Sequence, residues 1–73
     1  MGNEENAVRF MQLNMLFHLS QRWRKSVPEV VEVDKRYDLL DFIRCGYESF
    51  HLMGNKGIAL EIEDYITGSG GVL

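Results

Sequence analysis

The sequence predicts an all-α domain, a small bundle of about four helices. Three observations carry this expectation. Residues 7–25 contain no Gly or Pro and place Val8, Met11, Met15 and Leu19 at helical spacing. Ser26 stands three residues before Glu29 with Pro28 between them, the pattern of a capping box that opens a helix. Leu39, Leu40, Phe42 and Ile43 form an apolar face that Gly46 is placed to stop.

Taken in chain order, residues 1–6 are polar and read as a flexible N-terminus, and residues 7–67 as a single helical domain. Asn6 is positioned to cap a first helix running from Ala7 to about Lys25. Phe10, Leu13, Leu16, Phe17 and Trp23 widen its apolar stripe beyond an ordinary amphipathic face. A helix apolar on more than one side is either central or half-covered by another chain. Arg22, Arg24 and Lys25 fall at its C-terminal end, where the helix dipole favours cations.

A second helix is expected from the Ser26 cap to about Lys35. Val27, Val30, Val31 and Val33 are β-branched and lower its propensity, but Pro28 and the capping box argue against a strand. Asp38 is placed to cap a short third helix. Tyr47 to Met53 reads as helix or turn, and Gly54-Asn55-Lys56-Gly57 as a turn cluster. Ile58, Leu60 and Ile62 alternate as in a strand, whereas Ile58, Ile62, Tyr65 and Ile66 follow the helical period. Length and the Glu/Asp content favour helix there, with strand as the alternative. Residues 68–73 read as a flexible Gly-rich tail.

With 73 residues, the chain is short for an enzyme scaffold with a separate cleft. It is 45% hydrophobic and 26% charged, as globular proteins are. Domains below about 70–80 residues usually draw extra support from disulfides, a metal or association. The single Cys45 excludes an internal disulfide and fits a reducing compartment. The acidic start lacks the basic region of a secretory signal, and no apolar run approaches the about 20 residues that span a bilayer. The expectation is a cytoplasmic protein without a membrane partner. Charge is uneven: residues 1–25 carry four basic and two acidic side chains, residues 26–73 four basic and nine acidic.

Arg22-Trp23-Arg24-Lys25 joins cations to an aromatic, a combination that can hold phosphate and stack a base. The bland alternative is a helix end with its Trp packed on the core. The order of the first helices resembles a helix-turn-helix. However, Glu29, Glu32, Asp34, Asp38 and Asp41 would repel DNA, which speaks against nucleic acid. Cys45 and His51 could pair as nucleophile and base, but no third group accompanies them. Zinc usually takes four ligands, and Cys45, His18 and His51 are too few and too scattered. The expectation is therefore no enzyme, no cofactor and no metal.

Tyr47 and His51 are four apart, on one face if helical, and Gly54 follows. Their polar tips suit either local hydrogen bonds or an exposed recognition surface. The interaction candidates are Met11, Met15, Trp23, Arg22, Arg24, Lys25, Tyr47 and His51. The expected partner is another copy of the chain or a different protein.

Several stretches together resemble the small bacterial domain of unknown function 3791 family. They are Phe10 to Trp23, Ser26 to Val31, Asp41-Phe42-Ile43, Tyr47 with His51 and Gly54, and Ile58 to Ile66 with Asp64. Leu52-Met53 and the charged run from Val33 to Tyr37 depart from that family's pattern. The resemblance implies an all-helical scaffold without established activity, often encoded beside an ADP-ribosyltransferase-like domain. It thereby implies an antitoxin-like or regulatory partner role as one alternative. A helix-turn-helix-like nucleic-acid binder is the other.

Overall fold

The computed structural model describes residues 2–71. It contains α1 (Gly2–Trp23), α2 (Val27–Tyr37), α3 (Leu39–Cys45), α4 (Tyr47–Phe50) and α5 (Asn55–Gly68), with no strand among the described residues. The all-α expectation holds, and the ambiguous segment 58–66 is helical. At about 1.5 Å per residue, the 22 residues of α1 run about 33 Å. That nearly matches the 36 Å long axis of the molecule. The other helices are short and fold back along it.

Burial explains the choice of helix at 58–66. Ile58, Ala59, Ile62 and Ile66 are all buried at helical spacing. A strand would turn Ile58, Leu60 and Ile62 to one side together, yet Leu60 is about half exposed. They meet Met15, Leu16 and Leu19 of α1, Val30 of α2, Leu39 and Ile43 of α3 and Phe50 of α4 in one core. Tyr65 stacks on Phe42 with ring centroids 4.3 Å apart and donates its hydroxyl to the Tyr37 carbonyl at 2.8 Å. The ring thus buries its body while its polar tip finds a partner.

Several boundaries differ from the sequence expectation. α1 begins at Gly2, so Asn6 lies inside the helix and does not cap it. Glu4 and Glu5 occupy its first turn, where the dipole favours anions. α2 opens on Ser26 as expected: the Glu29 amide donates to Ser26 Oγ at 3.2 Å, and the Ser26 amide to Glu29 Oε1 at 2.8 Å. It extends to Tyr37, two residues past Lys35.

Asp38 does not cap α3 through its side chain. Side-chain capping uses an extended backbone, and Asp38 is left-handed, with φ 55°. Asp34 supplies the missing acceptor: its Oδ1 receives the Leu40 amide at 2.9 Å. The 54–57 cluster is not a free turn, because α5 starts at Asn55 and includes Gly57.

Gly46 ends α3 for a reason other than backbone freedom. A Cβ there would lie 2.5 Å from the Phe50 ring, so the missing side chain is what lets Phe50 enter the core. Of the expected tail at 68–73, residues 72 and 73 lie outside the described residues, and Gly68 falls inside α5. Gly70 has φ +87°, the Gly71 amide donates to the Ile66 carbonyl at 2.9 Å, and the Gly70 amide to that of Thr67 at 3.0 Å. These bonds close the end of α5 through a left-handed residue.

Candidate functional site

α1 has two apolar faces on opposite sides. The inner one carries Met15, Leu16 and Leu19 into the core, flanked by Met11 and Trp23. The outer one carries Phe10, Leu13 and Phe17, which are 63%, 62% and 65% exposed. At about 100° per residue these three fall within one narrow stripe. With Asn6, Arg9 and Asn14 they line a shallow hollow made of α1 alone. An exposed Leu is ordinary; two large aromatics and a Leu in one row form a patch.

A second groove borders this stripe. Phe10, Met11 and Asn14 form one wall, and Tyr47, His51, Met53 and Asn55 another. The Tyr47 and His51 rings stack with centroids 5.2 Å apart, as their four-residue spacing anticipated. Asn14 Nδ2 donates to Asn55 Oδ1 at 3.1 Å, tying α1 to the start of α5. Gln12 Nε2 donates to the Leu40 carbonyl at 2.8 Å, tying α1 to α3. The helix that carries the outer stripe is therefore tied to both α3 and the start of α5.

The eight interaction candidates separate in the structure. Tyr47 and His51 edge the groove, and Met11 lies half-buried between groove and core. Met15 is fully buried and belongs to the core, so it forms no part of a surface. Trp23 packs against the core. Arg24 is exposed and Lys25 half-buried at the C-terminal end of α1.

Arg22 is not a free cation. Its Nε donates to Glu63 Oε2 at 2.6 Å and its Nη2 to Glu63 Oε1 at 3.1 Å, while Trp23 Nε1 donates to Oε2 at 2.8 Å. The fork-shaped pairing of guanidinium and carboxylate is the strong form of this contact. The Arg22 hydrogen bond holds the Glu63 carboxyl below its usual range, with help from the Trp23 donor and against the opposing effect of burial. The same hydrogen bond raises the Arg22 pKa above its ordinary value. The expected Arg22–Lys25 basic patch is thus partly neutralised from within, leaving Arg24 and Lys25 as its outward charge.

The chemistry-bearing side chains do not assemble. The exposed Cys45 thiol has Asp41 Oδ2 as its hydrogen-bond partner, at 3.9 Å. Among the described residues no three His, Cys, Asp or Glu side chains gather as a metal site requires. Among them, too, no helix is long and apolar enough to cross a membrane.

Glu63 was not singled out from the sequence, and Phe10, Leu13 and Phe17 were read there as part of one widened stripe, not as a separate outer face. Nothing local to Glu63 marks it, since its partners are about forty residues away. The stripe did leave a signal: Phe10, Leu13 and Phe17 keep 3–4 spacing, out of phase with Met11, Met15 and Leu19. Two phases in one helix mean two apolar faces.

No protein-family model, no curated protein and no solved structure matches the chain.

Proposed function

We propose that this chain is a non-enzymatic interaction module that self-associates through the outer face of α1. One observation carries the reading: Phe10, Leu13 and Phe17 stay mostly in water on one stripe, although the core has taken the other side of the same helix. An aromatic side chain buries about 150–250 Å². At their observed exposures the two Phe rings and Leu13 leave roughly 300 Å² of apolar surface per copy, the size of the largest patch on a typical monomer.

Doubled in a symmetric pair and rimmed by Asn6, Arg9 and Asn14, this area falls below the about 1,200 Å² of a standard stable interface. The expected complex is therefore a weak, reversible dimer with a dissociation constant in the micromolar range. The small core supports the same reading, because an 8.5 kDa chain without a disulfide gains from association.

Sedimentation equilibrium across the micromolar range tests the proposal. Wild type should shift from monomer towards dimer. Leu13→Glu, an exposed position that leaves the core untouched, should weaken the dimer by about tenfold or more, since its two copies bury like charges in a symmetric contact. A wild-type chain that stays monomeric to submillimolar concentration overturns the proposal.

A further inference from the structure

We draw no further inference here: the strongest candidate, the open groove between α1 and the chain from α4 to the start of α5, with Phe10 and Met11 on one wall and Tyr47, His51 and Met53 on the other, is an unpartnered surface, and nothing in the structure shows what covers it.

Discussion

Arg24→Gly should stabilise the protein, although it deletes a charged side chain. α1 ends as α5 does. The Lys25 amide donates to the Ser20 carbonyl at 3.0 Å and the Arg24 amide to that of Gln21 at 3.4 Å, which places Arg24 in the left-handed region at φ 55°. α5 fills the equivalent position with Gly70 at φ +87°. A residue with a Cβ costs about 1–2 kcal/mol in that conformation. Glycine avoids this cost but adds about 0.5–1 kcal/mol of chain entropy to the unfolded state.

The difference is a gain of about 0.5–1 kcal/mol, because the exposed Arg24 has no ion pair among the described residues to lose. For a domain of this size that raises the melting temperature by about 2–8 °C. Circular dichroism melts at one protein concentration, in the Leu13→Glu background, keep association from moving the midpoint. Gly70→Ala is the mirror experiment and should lower the midpoint by a similar amount or more. A melting temperature for Arg24→Gly at or below that of its parent, or a neutral Gly70→Ala, would refute the reasoning.

The remaining predictions concern the core and the α1–α5 contact. Glu63→Gln should destabilise at neutral pH by about 1–2 kcal/mol, through loss of charge-assisted bonds to Arg22 and Trp23. The native Glu63 carboxyl lies below its unfolded value, so its contribution is complete above about pH 4.3 and is lost as pH falls through the lower native value. The gap in urea midpoint between wild type and Glu63→Gln should therefore narrow in acid, and a gap constant from pH 7 to pH 3 would contradict this. Gly46→Ala forces the Phe50 ring to move and should cost about 1–3 kcal/mol. Gly68→Ala meets nothing within 4 Å and should be neutral or mildly stabilising in the same urea titration.

Much of the fold was legible because its signals are local. The Ser26–Glu29 capping box needs only four consecutive residues, and it forms as read. The Ile58, Ile62, Ile66 period was visible, but so was the Ile58, Leu60, Ile62 alternation. Packing against α1 chose between them by burying Ala59 and leaving Leu60 outside. The Asp38 cap was misread because an Asp before an apolar run signals a cap only if its backbone is extended, and the tight joint between α2 and α3 makes it left-handed.

The candidate site divides along the same line. Helical identity, the excess of apolar residues in α1 and the Tyr47–His51 stack follow from spacing along one chain segment. Which apolar face stays in water does not, because periodicity shows two faces and cannot say which one the short helices will cover. The core took Met15 and left Phe10, Leu13 and Phe17 outside. The state of the basic cluster was equally out of reach, since a carboxylate from α5 holds one of its cations. Local sequence sets backbone conformation and periodicity over a few turns. Burial and charge pairing depend on residues forty positions apart, and these settled which face of α1 stays in water.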